Sequence, residues 1–296
     1  MDRTSLLRCS GDMTTNHSTA RVLVTGGTGM TGGRVARLLS ERGVDHRIAS
    51  RSGHAETDTP PFDWHAPDTW DAVLEGVDAV YLCYSPDLAL PGAAETVSAF
   101  AARAVSHGVR RAVLLSGRGE PLARRAEEEV RAVLPELTVV RCAFFAQNLS
   151  EGFFLGSVHS GVLALPVADV PEPFVDLNDV AEAAARALTE EGHSGRLYEM
   201  TGPRALTFTE TAEVVGTAAG REVVCVSVPP EAFVAGAVAE GVPEEAAAGL
   251  AALFGEVLDG RNTGIADGVE RALGRPAGSF EAYVSRTVGT GVWSAR

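Results

Sequence analysis

Apolar residues along this chain gather in short unbroken runs, and the stretches between them carry apolar positions at helical spacing. Arg21-Val22-Leu23-Val24-Thr25 predicts a first strand, and Val35, Leu38 and Leu39 predict the inner face of a helix after it. Arg47-Ile48-Ala49-Ser50 predicts a second strand, with a marginal third around Phe62. Asp78 to Cys83, Ala112 to Leu115 and Leu137 to Val140 predict a fourth, fifth and sixth. An Ala-rich helix is expected from Ala93 to His107 and a charged one from about Leu122 to Val133. Strands that are apolar throughout are buried on both faces, so the sheet is expected to be parallel with helices on either side. Right-handed crossovers then give an α/β fold with a doubly wound parallel sheet.

After Phe144 the alternation loosens. Gly152 to Pro173 is rich in Gly, Pro and Val and predicts loop and short strands. Helices are expected at Val180 to Leu188, Phe208 to Ala219 and through Pro230 to Leu258, with strands at Leu197 to Met200 and Val223 to Val226. Asp176-Leu177-Asn178-Asp179 predicts a helix start, with Asp176 or Asn178 as the cap and Asp179 favouring the dipole. The expected organisation is a loose extension at 1–19, a sheet domain at 20–155, and a smaller C-terminal α+β lobe at 156–296 that binds substrate. Some segments of that lobe are expected to return to the sheet domain.

The 296 residues are 45% hydrophobic, enough for a sizeable core. With 25 Lys+Arg against 39 Asp+Glu, the net charge of −14 excludes the basic surface that a nucleic-acid partner requires. The chain has no apolar run of membrane-spanning length, and Met1 to Thr19 lacks the apolar core of a secretion signal. Cys9, Cys83, Cys142 and Cys225 form no CxxC pair, and the seven histidines show no metal-ligand spacing. Cys83, Cys142 and Cys225 are expected to be buried, reduced thiols of a cytoplasmic protein. The expected partner is a small molecule, with no metal, no nucleic acid and no membrane; a homodimer is left open.

The segment richest in chemistry is Gly26-Gly27-Thr28-Gly29-Met30-Thr31-Gly32-Gly33. It follows a predicted strand and opens a predicted helix, the setting in which glycines bring backbone N–H groups and a helix dipole to a diphosphate. Gly26, Thr28, Gly29, Met30, Thr31 and Gly32 are therefore candidate ligands of a dinucleotide, as in a Rossmann fold. No Lys-Ser/Thr follows the last glycine, which excludes a P-loop. At the end of the second strand, where an acidic residue would bind the ribose 2′-hydroxyl of NAD, stands Ser50-Arg51-Ser52. Arg51 cannot accept from a hydroxyl but pairs with a 2′-phosphate, so NADP(H) is predicted over NAD(H).

The run Thr25-Gly-x-Thr28-Gly-x-x-Gly32 resembles the atypical short-chain dehydrogenase/reductase superfamily. Further pieces resemble its NmrA-like branch: Phe62-Asp63-Trp64, Val80-Tyr81-Leu82, Leu114-Leu115-Ser116-Gly117, Val139-Val140-Arg141, Phe144 to Asn148 and Glu199 to Pro203. That branch includes NADPH:quinone oxidoreductases, a triphenylmethane reductase and a non-catalytic redox sensor. The resemblance spans roughly Arg21 to Tyr283. It implies Asp63 near the adenine, Cys83 and Tyr84 beside the cofactor, Ser116 and Gly117 bordering the nicotinamide, and Ala143, Phe144 and Phe145 as the pocket floor.

One departure matters. Ordinary short-chain dehydrogenases carry Tyr-x-x-x-Lys after the fifth strand, and the stretch from Ser116 to Glu129 has neither residue. Tyr84 and Ser116 remain as catalytic candidates, and Arg118, Arg124, Phe145, Gln147 and Asn148 as substrate contacts. Each has an ordinary structural alternative as a packing, capping or solvated group. His159 is a further candidate proton donor, and Glu127, Glu128 and Glu129 read as a wet helix face. Phe144, Phe145, Phe153, Phe154 and Leu155 favour a flat aromatic substrate, or else simply fill a core. A quinone, dye or activated alkene takes hydride without a strong protein acid. The leading expectation is thus an NADPH-dependent reductase of a quinone-like or conjugated aromatic molecule. A cofactor-binding sensor without chemistry and a biosynthetic isomerase or dehydratase are the alternatives.

Overall fold

The computed structural model describes residues 20–294, so the expected N-terminal extension and Cys9 lie outside the described residues. The first half runs β1 (Val22–Thr25), α1 (Met30–Glu41), β2 (His46–Ala49), α2 (Trp70–Leu74), β3 (Ala79–Leu82), α3 (Ala93–Ser106), β4 (Arg111–Gly117), α4 (Pro121–Val133) and β5 (Thr138–Cys142). The second half runs α5 (Leu155–Ser160), β6 (Val162–Leu165), α6 (Leu177–Thr189), β7 (Leu197–Met200), α7 (Phe208–Ala219) and β8 (Val224–Ser227). It ends with α8 (Pro230–Ala239), α9 (Glu244–Val257), α10 (Gly268–Leu273) and α11 (Phe280–Val288).

Six strands make one sheet in the order β2-β1-β3-β4-β5-β7, and every pairing in it is parallel. The two-residue period of each strand sorts its side chains between two layers. Leu23, Val80, Leu82 and Leu114 face α2, α3 and α4 on one side. Val22, Val24, Tyr81 and Val113 face α1, α6 and α10 on the other. This is a doubly wound Rossmann sheet. The order turns back on itself between β1 and β3, which opens a crevice at their carboxyl ends where such sheets bind ligands.

A third apolar cluster lies outside the sheet. It is built from Phe154, Phe174, Phe208, Phe233, Phe254 and Phe280 and covered by α7, α8, α9 and α11. The small parallel pair β6–β8 borders it. Of the 156–296 segment, β7 extends the main sheet beside β5, and α6 and α10 pack onto its α1 face.

Three local expectations change. Phe62 belongs to no strand; it lies in extended chain whose N–H bonds Ser50 O, and its ring packs edge-on to Trp64 and Phe100. Its apolarity reflects this aromatic cluster rather than a ladder, so the sheet has one strand fewer at that point. Gly152 to Pro173 is not loop throughout, because Leu155–Ser160 forms α5, closed by Gly161 in the left-handed region. The helical run from Pro230 to Leu258 is broken at Gly241, also left-handed, into the hairpin α8–α9. Asp176 caps α6 by accepting the Asn178 N–H at 2.8 Å. Cys142 is buried, but Cys83 and Cys225 are only partly so, and none of the three is in a disulfide.

Candidate functional site

The turn after β1 is shaped by contacts that leave no room for side chains. Thr25 Oγ1 donates to Tyr81 O at 2.8 Å and accepts the Cys83 N–H at 2.8 Å, pinning the end of β1 to β3. Gly26 then takes φ +63, a left-handed turn that glycine adopts without strain. A Cβ on Gly32 would come within 2.6 Å of the Gly26 carbonyl carbon and 2.9 Å of Gly27 Cα, so α1 rests directly on the turn. Gly29 differs. A Cβ there would meet only Gly26 O, at 3.3 Å, and otherwise point into open space. Gly29 is also the N-cap of α1, with no side-chain cap. The N–H groups of Met30, Thr31 and Gly32 have no acceptor among the described residues. Unpaired N–H donors at a helix start, with a bare approach to them, fit a diphosphate.

Arg51 stands exposed just past the end of β2, beside the turn, and forms no ion pair among the described residues. The turn it occupies is fixed by Ser50 Oγ donating to Gly53 O and by the Gly53 N–H reaching Ser50 O. Asp63 is partly buried; its Oδ1 accepts the His65 N–H, and its carbonyl accepts from Trp70 Nε1. One carboxyl oxygen of Asp63 therefore serves a turn.

A cleft of about 470 Å³ opens from the glycine turn across the carboxyl ends of β3, β4 and β5. The sequence-predicted residues Gly26, Thr28, Gly29, Met30 and Thr31 line one end of it. Cys83, Tyr84, Ser116, Gly117, Arg118, Ala143, Phe144, Phe145 and Asn148 line the rest. Gly32 lies beneath the turn and Arg51 and Asp63 lie outside the cleft lining. Cys83 packs against Gly26, its Sγ 3.6 Å from Thr31 Oγ1, and burial pushes its thiol pKa up. Tyr84 packs against Trp64 with the rings tilted and their centroids 5.2 Å apart, and has no hydrogen bond through its hydroxyl among the described residues. Leu253 and Val257 of α9 close the cleft from above.

Ser116 does not offer its hydroxyl to the cleft: Oγ donates to Glu127 Oε1 at 2.6 Å. Glu127 is correspondingly no wet helix face, being 5% exposed and accepting from both Nε and Nη2 of Arg141. Arg141 also reaches Glu199 at 3.1 Å, so a charged network ties α4, β5 and β7 together beneath Ser116. Glu128 is exposed and Glu129 pairs with Arg125, as a solvated face would. Arg118 spends Nη1 on the carbonyls of Asn262 and Gly264, strapping the segment after α9 over the β4–α4 loop.

Several candidates fall elsewhere. Arg124 faces a separate surface recess with Arg125 and Glu128. Gln147 is buried, donating to Asp176 and accepting the Leu177 N–H, so it fastens the turn after β5 to α6. His159 lies on α5, away from the cleft, and its carbonyl accepts from Arg221. Phe154 is core and Phe153 is exposed, so only Phe144 and Phe145 of the aromatic run reach the cleft. Phe144 does so while packing on Phe154, Phe174 and Phe208.

Three lining carboxylates were missed, and the first, Asp87, accepts the Ala89 N–H at 2.8 Å within its own loop. Glu120, the N-cap of α4, turns its carboxyl onto Gly117 Cα, where a Cβ would collide with it. Burial, with Asp87, Glu256 and Glu127 nearby, pushes its pKa up to about 8. Glu172 accepts the Phe144 N–H at 3.1 Å, and burial outweighs that bond and Arg118 to raise it to about 7. Glu120 was within reach of sequence reasoning, because Ser-Gly-x-x-Glu-Pro puts it just past a strand's carboxyl end. Glu172, inside Pro171-Glu172-Pro173, had no such signal. The chain has no lysine at all, so no Lys can tune a phenol here.

Residues 22–110 match the NAD dependent epimerase/dehydratase family. The uncharacterized oxidoreductase YesF of Bacillus subtilis is 31% identical over 271 residues, 89% of this chain and 94% of that relative. The NAD(P)H azoreductase of Xenophilus azovorans is 29% identical over 88% of this chain and 96% of its own. Among solved structures, the Citrobacter sp. triphenylmethane reductase complexed with NADP(H) superposes with a TM-score of 0.75. It is 22% identical, over 90% of this chain and 99% of that one. The glycine turn, the sheet order and the full-length likeness to YesF agree: the chain belongs to the same family of NAD(P)-dependent oxidoreductases as YesF, with an NAD dependent epimerase/dehydratase domain at residues 22–110 and the fold of the solved reductases.

Proposed function

We propose that this protein is an NADPH-dependent reductase of quinone-like or conjugated aromatic small molecules. The observation that carries the reading is a bare glycine turn with unpaired helix N–H groups, opening onto a cleft floored by Phe144 and Phe145. Likeness to an NAD(P)H azoreductase and to a triphenylmethane reductase supports it. Three thiols without a disulfide support a cytoplasmic setting.

When bound, the reduced nicotinamide supplies a hydride. The chain's own part is to hold and orient. Backbone N–H groups of Met30, Thr31 and Gly32 would hold the diphosphate, and Arg51 would hold the 2′-phosphate. Arg51 past the end of β2 would then hold the adenosine side, and the residues at the carboxyl ends of β3, β4 and β5 would meet the nicotinamide. There Cys83, Tyr84, Gly117, Ala143 and Phe144 give an apolar wall. Phe145 and Asn148 border an acceptor, and Leu253 and Val257 exclude water from above.

The test is cofactor selectivity joined to turnover. The wild type is expected to oxidise NADPH with a naphthoquinone or an azo dye, followed at the nicotinamide absorbance, and to bind NADPH more tightly than NADH. Arg51→Ala should weaken NADPH by about 10- to 100-fold, the worth of one charge-assisted phosphate contact, and leave NADH unchanged. Equal affinity for both cofactors in the wild type removes the Arg51 assignment. NADPH binding without turnover of any acceptor leaves the sensor reading instead.

A further inference from the structure

We propose that Glu120 is the acid of this site, delivering a proton to acceptors whose reduced form must be protonated at a basic nitrogen, oxygen or carbon. The proposal rests on the reductase reading above and narrows its substrate class. The carboxyl lies in the cleft against Gly117 Cα at the carboxyl end of β4, on the side where the nicotinamide end belongs. It makes no hydrogen bond or ion pair among the described residues, so no structural duty accounts for it.

Its surroundings keep it protonated. Asp87 faces it from the loop after β3, Glu256 from α9 and Glu127 from α4, all of like charge. Cys142 lies beside it on β5, its thiol pushed up by burial and by Glu120 itself. The nearest cation in sequence, Arg118, holds the carbonyls of Asn262 and Gly264 instead. With a pKa pushed up to about 8, Glu120 is mostly the neutral acid at pH 7, able to donate. The other two lining carboxyls are already engaged, Glu172 by the Phe144 N–H and Asp87 by the Ala89 N–H.

The balance is simple. An azo acceptor gains a hydride from the reduced cofactor at one nitrogen and the Glu120 proton at the other. The products are a hydrazo compound, the oxidised cofactor and a Glu120 carboxylate, which water reprotonates through the cleft mouth. A triarylmethyl cation differs, because hydride alone converts it to its neutral leuco form and no proton is needed.

That contrast supplies the experiment. Methyl red and malachite green are compared as acceptors with NADPH, using the wild type, Glu120→Gln and Glu120→Asp. Glu120→Gln should lower kcat/KM for methyl red by about 100-fold more than for malachite green, within the usual range for general acid catalysis. Glu120→Asp, which keeps an acid, should recover part of the loss. The wild-type methyl red rate should fall as pH rises through about 8. Equal effects on both dyes, of any size, overturn the proposal. So does an aspartate variant no better than the glutamine one.

A second readout needs no turnover. Infrared difference spectra of the ligand-free chain across about pH 6 to 9.5 should show a protonated-carboxyl band lost with a midpoint near 8 and missing from Glu120→Gln. A spectrum that the substitution leaves unchanged overturns the proposal. If the band titrates and no acceptor is reduced, Glu120 is a neutral acid but the reductase reading has failed.

Discussion

Replacing Gly29 and Gly32 separately by alanine distinguishes a glycine kept for a ligand from one kept for the fold. At Gly32 the new methyl would sit 2.6 Å from the Gly26 carbonyl carbon and 2.9 Å from Gly27 Cα, whereas relaxed carbon contacts need about 3.5 Å. Both obstacles are backbone, so α1 must move outward by roughly 1 Å. Overpacking of this kind costs about 1–3 kcal/mol. At about 2–4 °C per kcal/mol for a chain of this size, Tm should fall by roughly 2–12 °C. At Gly29 the backbone is extended (φ −93, ψ −178) and the nearest atom is 3.3 Å away, so alanine fits. The expected loss is only about 0.5 kcal/mol, from a poorer N-cap. The methyl would nonetheless stand in front of the unpaired N–H groups. Losing one or two hydrogen bonds to a charged diphosphate is worth about 1.5–3 kcal/mol, or roughly 10- to 100-fold in Kd. The assay is thermal denaturation without cofactor together with NADPH titration by fluorescence. If Gly29→Ala binds NADPH like the wild type, or if it melts as low as Gly32→Ala, the division of labour inside the turn is wrong.

Two more outcomes follow from the buried charges. Glu127→Ala leaves Arg141 half-buried without its main partner and should cost about 3 kcal/mol, measured by urea denaturation. A loss below about 1 kcal/mol would show the network to be incidental. Stability should also fall as pH rises from about 4.5 to 8. The folded chain keeps the Glu120 and Glu172 protons, with pKa values near 8 and 7, after the unfolded chain has released them near 4.5. This contribution is complete below pH 4.5 and gone above 8. It amounts to about 2–4 kcal/mol after discounting for the partial exposure of Glu120. Urea midpoints of the Glu120→Gln/Glu172→Gln double variant should flatten across that window, and curves parallel to the wild type would contradict it.

The amino-acid sequence alone determined the sheet and the turn at its head. Runs such as Val22-Leu23-Val24 and Val80-Tyr81-Leu82 are apolar at every position because both faces of a covered strand are dry, and that pattern needs no knowledge of neighbours. The glycines of 26–32 were equally legible, since a turn closed by backbone contact excludes side chains whatever surrounds it. Polar residues were another matter. Ser116, Glu127 and Gln147 look like free groups along the chain, yet each is bonded to a partner brought in by a different element. The position of Glu120 past a strand end could be read along the chain, but its raised pKa arises only where Gly117, Asp87 and Glu256 assemble around it. Apolar burial follows a local period, but the protonation and pairing of a polar group depend on charges and solvent within a few ångströms, and only the folded chain decides which those are.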